Sequence, residues 1–357
     1  MTAPAPGPRN LITDVAGLTV GQAQDEALRT GVTVLLCPGL IPAGADVRGG
    51  GPGTREIDAL SAENSVGAAD AVVLAGGSAL GLGAADAVAA ALSARGRGVR
   101  VGEGHPTVPI IPAAILYDLG PHSAAPFAED GPPHPRLARE ALAAASEDFA
   151  LGSVGAGRGA NAGTLKGGIG SASLVLPGIE IHGGPATVGA LVAANPVGAV
   201  TLPGSRVFWA WPFELEVDGR PEFGGLRPDP SQAPAAAPLP PESRLAARLP
   251  PPPGTATAIG VVATDADLTA AECRRFAMMA QDGLARAIRP AHTPFDGDTI
   301  FAVATGARPL GTGPGRALRR PALGSAAADC VARAVARAVH EAVSRPGDRP
   351  AWRDQGA

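Results

Sequence analysis

The chain has 357 residues, of which 45% are hydrophobic, so it is long enough and apolar enough to bury a large core. Its formal net charge is -4 and aromatic residues make up only 3%, which argues against the basic, aromatic-lined surface of a nucleic-acid-binding protein. The sequence contains no signal-peptide pattern and no apolar run long enough to span a bilayer, so we expect a cytoplasmic protein that binds neither nucleic acid nor membrane.

The first half of the chain has the pattern of an α/β protein. Short apolar runs alternate with Gly-rich turns over residues 11–100, and residues 71–96 predict a strand, a Gly turn and an Ala-rich helix. Residues 136–149 have the composition and periodicity of another helix. The Gly runs at 49–53 and 76–83 could bind a phosphate, but neither matches a nucleotide-binding motif, and tight turns are the favoured interpretation.

A proline-rich segment interrupts the second half. Ten of the 26 residues from Pro228 to Pro253 are proline, which predicts a mobile or polyproline-like linker outside the packed core. The residues that follow predict a buried strand over 257–264 and a helix from a capping box at Thr269 to about Ile288.

Two further elements are predicted near the C-terminus. Residues 295–306 predict a loop followed by a second buried strand, and residues 326–343 predict a terminal helix. Valines spaced four residues apart from Val331 to Val343 would form one face of that helix.

The cysteines and histidines indicate neither a metal site nor a conventional nucleophile. Cys37, Cys273 and Cys330 are scattered among apolar residues and are predicted to be buried structural thiols. None of the six histidines has metal-ligand spacing, and we expect turn or surface residues. The motif around Ser78, GGSALG, has the wrong spacing for a nucleophile elbow. The sequence therefore predicts no metal and no cofactor.

Rare residue types single out a few positions. Lys166 is the one lysine among 29 basic residues, and Tyr117 is the one tyrosine. The other 28 basic residues are arginine, which indicates a compositional bias against lysine. A residue type that such a bias has nearly removed survives most readily where its chemistry cannot be replaced. Lys166 is therefore a candidate functional residue before any motif is considered.

A hydrolase without a catalytic histidine can use the first residue of a chain as its nucleophile, because the α-amine can act as the base. The ordinary pKa of such an amine is about 8, which suits proton transfer near neutral pH. A Thr or Ser at that position must be released by cleavage of the preceding peptide bond. A flexible segment before a buried strand suits this design, although composition alone is equally compatible with a linker that is never cut.

Five segments give a more specific indication, because in the same order they resemble motifs of the DmpA-type aminopeptidase family, which includes the nylon-oligomer hydrolase NylC. The segments are LAGGSALGLGAADAV (74–88), GTLKGGIGSAS (163–173), GALVAANPVG (189–198), TATAIGVVATDADL (255–268) and HTPFDGDTIFAVATG (292–306). The resemblance extends from about residue 10 to residue 345 and leaves the segment 228–253 unmatched.

This resemblance implies an α/β fold of the four-layer α/β/β/α sandwich type. It also implies self-cleavage into an α chain of residues 1–256 and a β chain of residues 257–357, which remain one catalytic unit. The expected reaction is hydrolysis of an amide bond next to a free amine in a small peptide or amino-amide. The family also implies a homo-oligomer, a tetramer or larger, of the processed chains.

The resemblance places the catalytic roles on particular residues. Thr257 would be the nucleophile that forms an acyl-enzyme, with its freed amine as general base. Lys166 would lower the pKa of that amine and position the Thr257 hydroxyl. Asn195 would donate to the oxyanion. The non-catalytic alternatives are an ordinary strand residue for Thr257, a solvated surface residue for Lys166 and a turn-forming residue before proline for Asn195.

The same resemblance gives roles to an acidic pair and a tyrosine. Asp296 and Asp298 alternate along an extended segment and would face one site, one orienting Lys166 or the amine and the other bonding Thr257. An acidic turn is the alternative. Tyr117 is a candidate second oxyanion donor or a plain core tyrosine.

The sequence differs from the family motif at one position, and two alternative functions remain open. The residue before the expected cut is Ala256, where NylC-like members have Asn and DmpA-like members have Gly. An acyltransferase of the ornithine acetyltransferase kind shares the self-cleaved Thr and the fold, and an uncut phosphate- or nucleotide-binding protein is a further alternative. The residues do not distinguish an L-peptide, a D-amino amide, a β-peptide or a nylon-type oligomer as substrate.

Overall fold

The fold consists of strands gathered into two packed sheets with helices on the outer faces. The computed structural model describes residues 3–181, 184–231, 238–246 and 254–356. The strands of these residues are β1 (Thr19–Asp25), β2 (Thr30–Val47), β3 (Thr54–Arg55), β4 (Ala68–Ala75), β5 (Ala113–Ile115), β6 (Asn161–Ala162), β7 (Leu165–Lys166), β8 (Gly168–Ile181), β9 (Gly184–Asn195), β10 (Glu216–Val217), β11 (Arg220–Pro221), β12 (Thr257–Ala266) and β13 (Thr299–Arg308). The helices are α1 (Gly83–Ser93), α2 (Pro121–Glu129), α3 (His134–Ala143), α4 (Ala270–Ala287) and α5 (Gly313–His340).

One long strand, β2, links the two sheets. The main strands follow the order β3-β5-β4-β2-β13-β12-β9-β8, with β1 also paired to β2. The first part of β2 pairs with β1 and β4, and its last part pairs with β13. The pairing with β4 shifts register between Leu36 and Ile41, and such an irregularity bends a strand. The strands on either side of this bend in β2 therefore form two sheets that pack face to face.

Alternating side chains divide the core into three layers. Leu35 and Leu74 of one sheet pack against Ile259 and Phe301 of the other in the layer between the sheets. A second layer lies between the sheet of β12 and helices α4 and α5, and a third lies between the sheet of β4 and helices α1 and α3. The predicted four-layer α/β/β/α sandwich is confirmed.

The helix predictions are confirmed in position but not always in length. Helix α4 begins at the predicted capping box, in which Thr269 Oγ1 accepts from the Glu272 N–H at 3.3 Å. Helix α3 ends at Ala143 instead of residue 149, because Ser146 forms a bridge with Val20 of β1. Among the described residues, no helix has the length and apolar character needed to cross a membrane.

The terminal helix is longer than predicted. Helix α5 begins at Gly313 rather than at residue 326, and its first part contains Pro321. That part lacks an apolar stripe and is held instead by Arg316, which donates to the carboxylates of Asp267 and Glu272. The predicted valine face is buried up to Val339, but Val343 lies beyond the end of the helix and is exposed.

The three cysteines are buried, as predicted. Burial raises the pKa of the Cys37 and Cys330 thiols to about 12 and also raises that of Cys273. A thiol held in its neutral form is a poor nucleophile, so these residues are structural.

Part of the proline-rich segment is packed against the fold, contrary to the interpretation of a linker outside the core. Residues 232–237 and 247–253 lie outside the described residues. Between them, the Ser243 hydroxyl donates to the Val197 carbonyl at 3.1 Å, and the Arg244 N–H donates to the same carbonyl at 2.9 Å. Composition does not show such docking, because it depends on hydrogen bonds to a turn far away in the sequence.

Candidate active site

Thr257 is the first residue of β12, and its side chain shares the face of Ile259 and Val261, which lies between the two sheets. Antiparallel pairing places Asn195, the last residue of β9, directly opposite Thr257. Both side chains are buried. The fold therefore brings two predicted site residues together at the ends of neighbouring strands.

The peptide bond before Thr257 is buried and carries two hydrogen-bond donors on its oxygen. The Thr257 hydroxyl donates to the carbonyl oxygen of Ala256, and the Gly297 N–H donates to the same oxygen at 3.0 Å. A backbone N–H on a carbonyl oxygen stabilises the negative charge that develops when the carbonyl carbon is attacked. The hydroxyl therefore lies next to an amide bond that is already polarised.

Asp298 holds the strand just beyond Thr257. Its Oδ1 accepts from the Ala258 N–H at 2.8 Å, and its Oδ2 accepts from the backbone N–H of His292 at 3.0 Å and lies 2.9 Å from the ring Nδ1. In the uncut chain the carboxylate thus bonds to the residue after Thr257 and to His292. The predicted hydrogen bond to the Thr257 hydroxyl is not among the contacts of the described residues.

Asp296 fixes the turn that follows Asn195. Its Oδ1 accepts from the Val197 N–H at 3.1 Å, and its Oδ2 accepts from the Thr293 hydroxyl at 2.6 Å. Burial, and then the nearby charge of Asp298, raise the pKa of this carboxyl to about 6. The two aspartates therefore flank Thr257 and Asn195 through backbone groups, in a tight loop and not in a solvated acidic turn.

Lys166 is buried, so the interpretation of a solvated surface lysine is wrong. Its Nζ donates to the carbonyl oxygens of Ala160 at 2.7 Å and of Gly157 and Gly167 at 3.3 Å each. Burial lowers the pKa of the ammonium to about 7. An amine with this pKa can change protonation state near neutral pH, although its bonds in the uncut chain go to carbonyl groups and not to Thr257.

Asn195 is connected to Lys166 through one short hairpin. Its Oδ1 accepts from the Asn161 N–H at 2.8 Å, and Asn161 pairs with Lys166 across β6 and β7. Its Nδ2 donates to the Tyr117 carbonyl at 3.2 Å, which leaves one amide hydrogen for another acceptor. The amide orientation is therefore fixed by both neighbours, beyond what an Asn-Pro turn requires.

A cavity of about 550 Å³ lies beside these residues. Its lining includes Tyr117, Asn161, Arg244 and Thr255, the last of which lies two residues before Thr257. Charged side chains of both signs contribute to the wall, among them Asp118 and Arg349. The cavity therefore suits a small polar molecule with charged groups.

Asp118, which follows Tyr117 in an otherwise apolar run, also lines the cavity and has no counterpart among the predicted site residues. Its Oδ1 accepts from the Gly77 N–H at 2.7 Å, whereas its buried Oδ2 has no hydrogen-bond partner among the described residues. Burial raises the pKa of this carboxyl to about 7. An acidic residue inside an apolar run was the available signal.

One histidine departs from the prediction of turn or surface residues: His134 is the first residue of helix α3, whereas His292 lies in a bend. His292 is half-buried against Asp298, and His134 is fully buried with its Nε2 3.0 Å from the Thr30 hydroxyl. Burial lowers the pKa of His134 to about 4, so it stays neutral. His134 lies between two prolines, yet it belongs to a helix and tertiary packing covers it.

Comparison with known proteins identifies the family of this chain. Residues 10–350 match peptidase family S58. An uncharacterized aminopeptidase of Mycobacterium tuberculosis is 45% identical over 341 residues, which cover 91% of this chain and 92% of the relative. A 6-aminohexanoate-oligomer endohydrolase of Kocuria sp. is 29% identical, with 91% and 83% covered.

Solved structures show the same fold. A beta-aminopeptidase of Burkholderia sp. matches with a TM-score of 0.68 and 26% identity, over 98% of this chain and 92% of that chain. An L-aminopeptidase D-Ala-esterase/amidase of Ochrobactrum anthropi, described as a variant of the Ntn-hydrolase fold, matches with a TM-score of 0.63 and 24% identity, over 98% and 92%. The chain belongs to peptidase family S58 and is a hydrolase of amide or peptide bonds.

Proposed function

We propose that the chain cuts itself between Ala256 and Thr257 and that Thr257 is then the nucleophile of an aminopeptidase or amidase. The observation that carries this proposal is the Thr257 hydroxyl on the Ala256 carbonyl, with the Gly297 N–H on the same oxygen. The hydroxyl oxygen attacks the carbonyl carbon, the hydroxyl proton is transferred to the Thr257 nitrogen, and the C–N bond breaks, so the acyl group moves from nitrogen to oxygen. One water molecule then hydrolyses the ester and leaves Ala256 with a carboxylate and Thr257 with a free amine.

The same residues then perform turnover. The new amine takes the proton of the Thr257 hydroxyl as the oxygen attacks the substrate carbonyl and releases the amine product. The free hydrogen of Asn195 Nδ2 stabilises the oxyanion, and Tyr117 lies on the cavity wall as a second candidate donor. Water hydrolyses the acyl-enzyme. The proposed role of Lys166, as an ammonium, is to disfavour protonation of the Thr257 amine and so keep it neutral and able to act as a base.

The substrate we propose is a small peptide or amino-amide with a free amine next to the cleaved bond. The names of the relatives support this class, since they include aminopeptidases and an aminohexanoate-oligomer hydrolase. We further propose that residues 1–256 and 257–357 remain one catalytic unit in the cytoplasm and that processed units assemble as a homo-oligomer.

The first test is maturation of the purified protein. We expect two bands on denaturing electrophoresis, with the smaller band sequencing as Thr-Ala-Ile-Gly from its amino end. Thr257→Ser should still cut, whereas Thr257→Ala should stay full-length and inactive. A full-length chain that hydrolyses amides would contradict the mechanism, and a smaller band beginning Thr-Ala-Thr would move the nucleophile to Thr255.

A further inference from the structure

We propose that Arg244, from the proline-rich segment, is a positioning residue for the self-cleavage step. This inference rests on the proposed cut before Thr257. The Arg244 guanidinium ties the chain just before the cleaved bond to the end of the strand that carries Asn195.

The guanidinium makes three hydrogen bonds to backbone carbonyls. Nη2 donates to Asn195 at 2.9 Å and to Pro196 at 3.0 Å, and Nη1 donates to Thr255 at 3.3 Å. Thr255 immediately precedes Ala256, whose carbonyl is attacked, and Asn195 lies opposite Thr257. One planar group therefore fixes the chain on the upstream side of the reacting bond against the neighbouring strand.

The segment that carries Arg244 is itself anchored. The Glu242 carbonyl accepts from the Thr164 N–H at 2.9 Å, and the Glu242 carboxylate accepts from the Gly204 N–H at 2.7 Å. Ser243 is buried and donates to Val197 at 3.1 Å. These bonds hold the backbone of residues 242–243 in place, so the position of Arg244 is fixed.

Arg244 acts through Thr255, because its guanidinium donates to the carbonyls of Asn195, Pro196 and Thr255 and not to that of Ala256. The reacting oxygen and carbon must be held within a few tenths of an ångström for attack, and a shift of about 1 Å can cost roughly 100-fold in rate. A lysine has all its donors on one nitrogen, whereas two separate guanidinium nitrogens reach Thr255 on one side and Asn195 and Pro196 on the other. The arrangement of these three carbonyl acceptors therefore requires arginine at position 244.

The experiment follows the conversion of newly made precursor into two chains by denaturing electrophoresis. Arg244→Ala should slow the cut about tenfold or more, and Arg244→Lys should stay closer to Ala than to wild type. The matched control is Arg206→Ala, because Arg206 is also half-buried and also donates to backbone carbonyls, those of Trp352 and Gly356, away from the site. The control should cut at the wild-type rate.

Precursor stability separates positioning from a general loss of structure. Thr257→Ala, which cannot cut, and Thr257→Ala with Arg244→Ala should melt within about 3 °C of each other. A normal cutting rate in Arg244→Ala, full rescue by Lys, or a slow cut with a much lower melting temperature would each overturn the inference. A wild-type chain that never cuts would instead overturn the proposed function.

Discussion

Lys166 shows how a single buried charge differs from the arginines that dominate this chain. Its ammonium fits among the carbonyls of Gly157, Ala160 and Gly167, and burial lowers its pKa to about 7. A guanidinium is larger and planar, so it does not fit among these three carbonyls as the compact ammonium does. Lysine has thus been retained, in a chain that otherwise uses arginine, at a position that arginine does not fit.

Lys166→Arg should therefore yield a folded but largely uncut and inactive chain. The added volume costs stability, about 1–3 kcal/mol for overpacking of a buried site. Cleavage, turnover and melting temperature should be measured on one preparation, with Thr257→Ala as the uncut reference. A Lys166→Arg variant that cuts and turns over normally would remove Lys166 from the site.

Asp118 gives a pH-dependent prediction about stability. Its pKa rises from about 4 in the unfolded chain to about 7 in the fold, so the native state binds more protons between these values. The contribution of Asp118 to stability therefore falls as pH rises from about 4 to 7, because the buried carboxyl must ionise. Asp118→Asn cannot ionise and keeps an oxygen for the Gly77 N–H.

The stability of Asp118→Asn relative to wild type should grow between pH 4 and 7 and level off above about 7, as measured by denaturant unfolding. Asp70→Asn is the control, since Asp70 is also buried and accepts a backbone N–H, from Ile110, but lies 3.6 Å from Arg97. That variant loses an ion pair and should be destabilised at neutral pH. A pH-independent difference for Asp118→Asn would contradict the assignment of a buried, ionising carboxyl.

At the scale of elements, the loop that carries Asp296 and Asp298 approaches β12 so closely that glycine is required between the two aspartates. A Cβ at position 297 would lie 2.9 Å from the Thr257 hydroxyl and 2.7 Å from the Gly51 carbonyl oxygen. The loop also forms a bridge between Asp296 and Ala256. The close approach is what lets the Gly297 N–H reach the Ala256 carbonyl.

Gly297→Ala should consequently push the loop away from Thr257 and slow the cut by at least about tenfold. Gly39→Ala is the control, because a Cβ there would meet nothing within 4 Å. Both precursors should be isolated and the cut timed, with melting temperature measured beside it. A wild-type cutting rate in Gly297→Ala would show that the loop can move without consequence.

Elements with a strong local signal were predictable, whereas those held by distant contacts were not. Strand β12 is apolar on both faces and α4 begins with a capping box, so sequence alone located them. The start of α5 and the docking of residues 242–244 depend on partners elsewhere in the chain, namely Asp267 and Val197. Local pattern carries no information about such partners.

For the molecule as a whole, the resemblance to the family identified residues that the fold brings together. It did not predict the hydrogen bonds that these residues make. Thr257, Asn195 and the two aspartates meet at one end of neighbouring strands, as expected. The partners of the aspartates and of Lys166 are mostly backbone groups, which side-chain motifs do not reveal. Asp118 and Arg244 were missed for the same reason, since burial and docking create their environments.

The strand order has a consequence for the lifetime of the processed protein. Strands β12 and β13, which follow the proposed cut, lie between β2 and β9, which precede it. The uncut chain folds in a unimolecular reaction, but two separated chains would have to meet before that interleaved sheet could form again, at a rate that depends on concentration. Maturation would thus exchange reversible folding for a state whose persistence is governed by how slowly it unfolds.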